Sequence, residues 1–165
     1  MTLTATYASP LGPLLLSSEG DALTGLWLPG QKHFAAGLDP AAAEGSTPAL
    51  RAAAEWLDAY FAGRRPEPSA LRLAPRGSGF QRLIWSLLTA IPYGETTTYG
   101  ALAAQAEKCL GRRTSARAVG AAVGRNPISI LIPCHRVLGA SGSLTGYAGG
   151  LDKKEWLLRH EGSHF

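Results

Sequence analysis

The spacing of apolar residues changes part way along this chain, and that change constrains the fold more than any other feature. In the first third the apolar positions alternate, and Thr2 to Tyr7, Leu14 to Ser17 and Ala22 to Leu28 are separated by turn residues. Such alternation is typical of short β-strands. From Phe80 onward the apolar residues recur at helical spacing instead. The pattern predicts an antiparallel sheet followed by a mostly helical part.

Capping residues locate one helix that belongs with the sheet. Thr47 directly precedes Pro48, an arrangement that favours a helix N-terminus, and the apolar face continues to Phe61 before Gly63. Residues 29–46 are rich in Gly, Pro and Ala, and we predict a loop there.

The best linker candidate covers residues 63–69, where proline, glycine and arginine cluster. A chain of 165 residues is long enough for one domain or two small ones. We therefore predict an α+β protein with two domains, residues 1–76 and residues 77–165.

The second part carries signals for several helix N-termini. They are Ser78 in a Ser-Gly-Phe-Gln capping box, Thr97 or Thr98, and Thr114 or Ser115. We also predict a last helix from Asp152 to His160. Two of these helices are short and are joined through glycine, which suggests a helix-turn-helix, although many such pairs only pack together. Residues 128–132 are apolar, and we predict a buried strand or extended segment there.

Composition narrows the class of protein. The two cysteines, Cys109 and Cys134, are too few for a disulfide framework and lack paired metal-ligand spacing, which suits a reducing cytosol. The N-terminus lacks a basic segment followed by an apolar one, and no apolar run approaches the roughly 20 residues of a membrane span. We expect a soluble cytoplasmic protein that makes no membrane contact.

The net charge of +4 is unevenly distributed. From Lys108 through Leu151 the chain has no Asp or Glu. The same interval carries a block of basic residues: Lys108, Arg112, Arg113, Arg117, Arg125, His135 and Arg136. Such a block favours a polyanion, because each neutralised phosphate releases condensed counterions. A solvated basic face without a partner is the alternative.

Cys134 lies inside this basic block, within the sequence Ile-Pro-Cys-His-Arg-Val of residues 132–137. Thiolate is the nucleophilic form of cysteine, and imidazole or guanidinium neighbours raise its fraction. From the flanking residues alone, a buried and unreactive cysteine is the alternative. The candidate nucleophile and the candidate polyanion surface thus coincide.

Several blocks of sequence occur in an order that resembles a known family. They are Arg117–Gly120, Asn126-Pro127, Ile132–Val137, Gly146–Leu151, Lys154–Leu158 and His160–Gly162. Together they resemble the O6-alkylguanine-DNA alkyltransferases, also called methylated-DNA–protein-cysteine methyltransferases. The resemblance is dense over residues 77–162 and looser toward the N-terminus, where residues 9–12 form a family-like turn.

The resemblance implies both a fold and an activity. The N-terminal domain would have a ribonuclease-H-like antiparallel sheet with a helix, and the helical C-terminal domain a helix-turn-helix and the active-site cysteine. Double-stranded DNA containing O6-alkylguanine, or O4-alkylthymine, would give its alkyl group irreversibly to Cys134 without a cofactor, after the base is flipped out. Two alternatives remain: a non-enzymatic sensor of alkylated DNA and a cysteine hydrolase that uses the same Cys/His pair.

By the same resemblance, Cys134 is the acceptor, His135 its base and Glu161 the acid that orients His135. Because adjacent side chains on an extended backbone point apart, we expect Cys134 and His135 to communicate through a bridging water rather than directly. Arg117 would fill the gap that the flipped nucleotide leaves in the base stack. Small residues on the same helix would permit close approach to the minor groove: Ala118, Gly120 and Ala121.

The remaining matched residues take pocket and support roles by resemblance. The base pocket would comprise Tyr99, the Val137 carbonyl, Tyr147 and Ala148. Asn126 would tie the turn between the helix and the cysteine, and Lys154 would anchor the segment that covers the base.

The chain departs from the family in two places. Residues 107–113 make the connection between the two helices longer than usual, and Cys109 within it has no family role. Some members carry zinc in the N-terminal half, but here that half has no cysteine and only His33, so we predict no metal site. We expect a monomer in solution and leave assembly along DNA open.

Overall fold

The computed structural model describes residues 1–165, which divide into two compact units. One unit comprises Met1–Arg76 together with Pro127–Ser129, and the other comprises Gly77–Asn126 and Ile130–Phe165. That residues 127–129 belong with the first unit was not predicted from the sequence.

The first unit is built on a four-stranded sheet with the order β3-β2-β1-β4. Its strands are β1 (Thr2–Ser9), β2 (Gly12–Glu19), β3 (Ala22–Trp27) and β4 (Ala43–Glu44). The first three form the predicted antiparallel meander. The short β4 runs parallel to β1, so the prediction of a loop over residues 29–46 is wrong at residues 43–44. Two residues are too few to leave a periodic signal.

Helix α1 (Pro48–Phe61) packs against the three long strands. Thr47 caps it as predicted, since its Oγ1 accepts the Leu50 amide at 3.0 Å. The face toward the sheet carries Leu50, Ala53, Trp56, Leu57 and Tyr60, all buried. This face and the inner side of β2 and β3 form the core of the first unit.

The outer edge of β3 is paired with two distant segments of the chain. Leu23 bridges to Leu73, and Leu26 bridges to Ile128. The Leu26 amide donates to Pro127 O at 2.8 Å, and Leu26 O accepts the Ser129 amide at 3.0 Å. The predicted strand over residues 128–132 is therefore wrong beyond Ile128. The chain turns there instead, and Ile130 has φ 72°, a conformation that costs a β-branched residue about 1–3 kcal/mol.

The second unit is helical with one small two-stranded sheet. Its helices are α2 (Gly79–Thr89), α3 (Tyr99–Leu110), α4 (Ala116–Gly124) and α5 (Leu151–His160), and its strands are β5 (Thr97–Thr98) and β6 (Val137–Leu138). The Ser78–Gln81 capping box at α2 is present as predicted. Trp85 on α2 is buried and donates its indole N–H to Ala122 O of α4 at 2.8 Å. No helix is long and apolar enough to span a membrane.

Helices α3 and α4 form the predicted pair. Thr98 Oγ1 accepts the Ala101 amide at 3.1 Å, and Ser115 Oγ accepts the Ala118 amide at 3.0 Å, so each helix has a hydroxyl cap. Helix α3 continues to Leu110, so the first part of the long connection, residues 107–110, is helical. Gly111 then ends α3 in the left-handed region at φ 66°.

The two ends of α3 predict opposite effects for the same substitution. Gly111→Ala should lower the free energy of unfolding by about 1–2 kcal/mol, because a Cβ disfavours positive φ. Gly100→Ala, within α3 and with open space around its Cβ position, should raise it by roughly 0.5–1 kcal/mol. Urea denaturation of both variants measures the two shifts, and equal signs would contradict this account of the helix end.

Candidate active site

Cys134 lies on a tight turn rather than at the end of a strand. Its amide donates to Ile132 O at 2.8 Å across Pro133, which has φ −81° and ψ 65°, the geometry of an inverse γ-turn. Residues 134–136 then form one turn of 3₁₀-helix. The expectation of an extended backbone at Cys134 and His135 is therefore wrong. Proline favours this turn because its ring fixes φ near the required value.

Asn126 connects this turn to the end of α4. Its side-chain amide donates to Ile132 O at 2.7 Å, and the same oxygen accepts the Cys134 amide. Asn126 is 3 % exposed, so water does not compete strongly for these bonds. The helix and the nucleophile-bearing turn are thereby held in one arrangement.

The thiol of Cys134 is buried, and burial raises its pKa. Three neighbours act in the opposite direction: hydrogen bonding by Asn126 and Tyr147, and the positive charge of Lys154. Because burial is the larger effect, the thiol is neutral at physiological pH in the free protein. A base is therefore needed to generate the thiolate.

Glu161 joins the two residues that follow the cysteine. One carboxylate oxygen, Oε2, lies 2.7 Å from His135 Nε2 and accepts Arg136 Nη2 at 3.1 Å, while Oε1 accepts Arg136 Nε at 2.8 Å. Burial opposes the ionised form of Glu161, but His135 and Arg136 outweigh it and hold the pKa of this carboxyl well below its usual range. The carboxylate is ionised and fully enclosed.

The carboxylate also selects one tautomer of His135. Burial lowers the pKa of His135 more than the neighbouring Glu161 raises it, so the imidazole is neutral. With Glu161 accepting from Nε2, the proton of the neutral ring lies on Nε2 and Nδ1 is the free base. Nδ1 is buried and has no hydrogen-bond partner within the protein.

Arg136 is the site residue that sequence reasoning missed. The charge pattern predicts that Arg136 and His135 are available to a polyanion, but Arg136 is 7 % exposed and His135 is 0 % exposed. Beyond Glu161, Arg136 donates Nη1 to Ile91 O at 2.6 Å and stacks over the Tyr93 ring at 5.7 Å. Its position after His135, between apolar residues on both sides, was the available signal, because an arginine is almost never fully buried unless it is paired.

Lys154 is fully buried, and its ammonium donates hydrogen bonds to three backbone carbonyls. Its ammonium donates to Val137 O at 2.5 Å, to Thr145 O at 2.8 Å and to Gly146 O at 3.1 Å. Burial lowers its pKa to about 8, although the nearby Cys134 favours the charged form. The predicted anchor thus ties β6 to the loop before α5. One lone pair of the Val137 carbonyl is already used.

Tyr99 lies at the start of α3 beside the same loop. Its hydroxyl donates to Gly146 O at 3.2 Å, and the Lys154 ammonium lies 5.9 Å from its ring centroid. Burial raises the pKa of Tyr99 to about 12, so the phenol is a neutral donor. A cavity of about 620 Å³ opens here between α3, α4 and the loop, and its walls include Tyr99, Arg117, Gly120 and Gly146. That volume exceeds what a single flat base needs.

Helix α4 separates buried from exposed residues cleanly. Val119, Ala122 and Val123 face the core. Arg117, Ala118 and Ala121 are exposed, and Gly120 is half-buried against the Tyr99 ring. The exposed face of α4 thus carries small side chains, and Arg117 gives it a positive charge near its N-terminus.

The structure brings most of the predicted site residues into one unit around the cysteine turn and this cavity. Tyr147 and Ala148 are half-buried in the loop before α5. Cys109 lies apart, exposed near the end of α3. No group of three His, Cys, Asp or Glu side chains is placed to hold a metal ion.

Comparison with known proteins gives concordant results for both units. Residues 2–75 match the ribonuclease-like domain of 6-O-methylguanine DNA methyltransferase, and residues 79–163 match its DNA-binding domain. The methylated-DNA–protein-cysteine methyltransferase of Methanosarcina acetivorans is 45 % identical over 160 residues, which cover 96 % of this chain and 97 % of that protein. The protein of the same name from Mycobacterium tuberculosis is 45 % identical over 164 residues, covering 96 % and 91 %.

Solved structures agree with this assignment. The crystal structure of Mycobacterium tuberculosis OGT in complex with DNA has a TM-score of 0.81 and 43 % identity, covering 97 % of this chain and 91 % of that one. The Mycobacterium tuberculosis O6-methylguanine methyltransferase has a TM-score of 0.78 and 41 % identity, covering 98 % and 93 %. These matches span both units, and the chain therefore belongs to the 6-O-methylguanine DNA methyltransferase family.

Proposed function

We propose that this protein repairs DNA by transferring the alkyl group of O6-alkylguanine, and of O4-alkylthymine, to Cys134 in a single irreversible turnover. The observation that carries the proposal is the buried His135–Glu161 pair on the turn of Cys134, in the same unit as a cavity whose walls include Tyr99 and Arg117. Membership of the family supports the same activity. The reaction needs no cofactor, because the thiolate itself displaces the base from the alkyl carbon in one step.

The proton of Cys134 leaves through His135. We infer a water molecule between the thiol and His135 Nδ1, which is the unprotonated ring nitrogen. Glu161 stabilises the imidazolium that forms, because a buried carboxylate at 2.7 Å favours positive charge. The thiolate then attacks the alkyl carbon: an S–C bond forms, the C–O6 bond breaks, and guanine leaves with the electron pair and takes up a proton. The thioether has no hydrolytic reverse.

DNA binding and base positioning fall to the exposed face of α4 and the cavity beside it. The small side chains of Ala118, Gly120 and Ala121 let the helix enter the minor groove, and Arg117 fills the space of the flipped nucleotide. Tyr99 is a neutral hydroxyl donor at the cavity wall. Tyr147 and Ala148, half-buried in the loop before α5, would cover the base. Val137 O offers its second lone pair to the guanine amino group. Asn126 and Lys154 hold the turn and the loop in place.

We place this function in the cytoplasm, because an acceptor that must remain a thiol requires a reducing compartment. The sensor and hydrolase alternatives are each disfavoured by one observation. A sensor requires no nucleophile, yet Cys134 has a base and an orienting acid beside it. A hydrolase gives no reason for the basic face of α4.

Mixing the protein with duplex DNA containing O6-methylguanine should add one methyl group to Cys134 and no more. Mass spectrometry of the intact protein and of the peptide that holds Cys134 measures the adduct. Cys134→Ala should bind the duplex without transfer, and Cys109→Ala, the matched control at the exposed thiol, should transfer normally. Binding without an adduct would support the alternative of a non-enzymatic sensor. Repeated turnover on an ester would support the alternative of a cysteine hydrolase.

Glu161→Gln should slow transfer by about 10–100-fold, because the imidazolium loses its counter-charge. Its depressed pKa also makes Glu161 stabilise the fold above the ordinary glutamate pKa of 4.5, and this contribution is lost as the pH falls through and below that value. The substitution should therefore lower stability at pH 7 and flatten the loss of stability on acidification. Urea denaturation from pH 7 to pH 3 tests this, with Glu55→Gln on the exposed side of α1 as control. An unchanged pH slope would contradict the burial of an ionised carboxylate.

Arg117→Ala should slow transfer from duplex DNA by about 10–100-fold, because flipping a base costs a few kcal/mol and 1.4 kcal/mol is a factor of ten. Transfer from a single-stranded oligonucleotide, in which no stack must be filled, should change far less. Single-turnover rates on both substrates give the ratio. An equal loss of transfer rate on duplex and single-stranded DNA would mean that Arg117 contributes to DNA binding in general and not to base flipping.

A further inference from the structure

Three cations at the end of α3 and in the connection to α4 are exposed and are not used by the protein itself. They are Lys108, Arg112 and Arg113, which we call the connection cluster. Their side chains make no ion pair or hydrogen bond within the protein. Long cationic side chains left without partners on one short segment repel one another, so the segment favours an anionic partner.

The backbone that carries the cluster is ordered by its own hydrogen bonds. The Gly111 amide donates to Glu107 O at 2.9 Å, which closes the last turn of α3. The carboxylate of Glu107 accepts the Thr114 amide at 3.0 Å and so spans the connection instead of pairing with a cation. The cluster is therefore displayed from a defined turn between two capped helices.

The cluster is continuous with the helix that faces DNA. Thr114 and the Ser115 cap separate Arg113 from α4, and Arg117 lies in the first turn of that helix. Once His135 and Arg136 are removed from the basic block because they are buried, the exposed cations of the segment are the connection cluster, Arg117 and Arg125. The exposed cations of the basic block thus all lie on the helix pair, in its connection or directly after α4.

We propose that the connection cluster is a second contact surface for duplex DNA, binding phosphates of the sugar-phosphate backbone outside the stretch that α4 enters. The inference rests on the proposed function, because it takes the duplex to lie along α4. Arginine suits this contact, since its planar guanidinium matches phosphate oxygens with two parallel hydrogen bonds. Such contacts carry no sequence information, so they serve the search for lesions on undamaged DNA.

The chain offers a matched control for testing the cluster. The tripeptide Gly-Arg-Arg occurs twice, at residues 111–113 after α3 and at residues 63–65 after α1, in each case with a positive-φ glycine at the helix end and exposed arginines. Arg112→Ala/Arg113→Ala and Arg64→Ala/Arg65→Ala change the net charge equally. Only the first pair lies on the helix-turn-helix.

The measurement is the affinity for an undamaged 20-base-pair duplex as a function of salt concentration. Each phosphate contact contributes about 0.9 to the slope of log K against log salt. Arg112→Ala/Arg113→Ala should therefore reduce the slope by about 1 to 2, and Lys108→Ala added to it should reduce the slope by about 1 more. Arg64→Ala/Arg65→Ala should leave the slope at the wild-type value.

Two results would overturn the proposal: an unchanged slope with affinity within twofold of wild type, or an equal reduction in both double variants. Thermal unfolding checks that each exposed pair leaves the fold intact. Failure of the proposed function is distinguishable, because it would appear as wild-type protein that gains no methyl group from O6-methylguanine DNA, whatever the slopes.

Discussion

The buried carboxylate of Glu161 is the interaction on which the site depends. It fixes the His135 tautomer and binds the Arg136 guanidinium, and both partners are enclosed. A buried ion pair adds little net stability, but removing one partner leaves an unpaired charge and typically costs about 3–5 kcal/mol. The network therefore specifies one arrangement of the end of α5 against the cysteine turn. The contact with Glu161 fixes the His135 imidazole, because Nδ1 has no hydrogen-bond partner within the protein.

Lys154 is the second buried charge that holds distant segments of the site together. Its single ammonium holds β6 and the loop before α5 together, and the loop in turn meets the Tyr99 hydroxyl. An ammonium with three donors fits three converging carbonyls, whereas a planar guanidinium does not. The proposed chemistry and recognition thus depend on two buried charges, Glu161 and Lys154, each satisfied by polar groups of the protein.

Local signals in the sequence predicted much of this structure, and non-local ones account for what was missed. The helix starts at Thr47, Ser78, Thr98 and Ser115 follow from hydroxyl caps, which act over three residues. The burial of Arg136 depends on Glu161, 25 residues away, and no local pattern records that pairing. The turn at Ile130 has the composition of a strand, but the pairing of Ile128 with β3 and a positive φ override it.

The pairing of residues 127–129 with β3 has a consequence for how this protein could have been assembled in evolution. These residues pair with the edge of β3 in the first unit, yet in the chain they stand between α4 and the turn that carries Cys134. Neither unit is therefore one uninterrupted stretch of gene. A cut at the linker would separate β3 from residues 127–129, so neither fragment would contain one complete unit and nothing else.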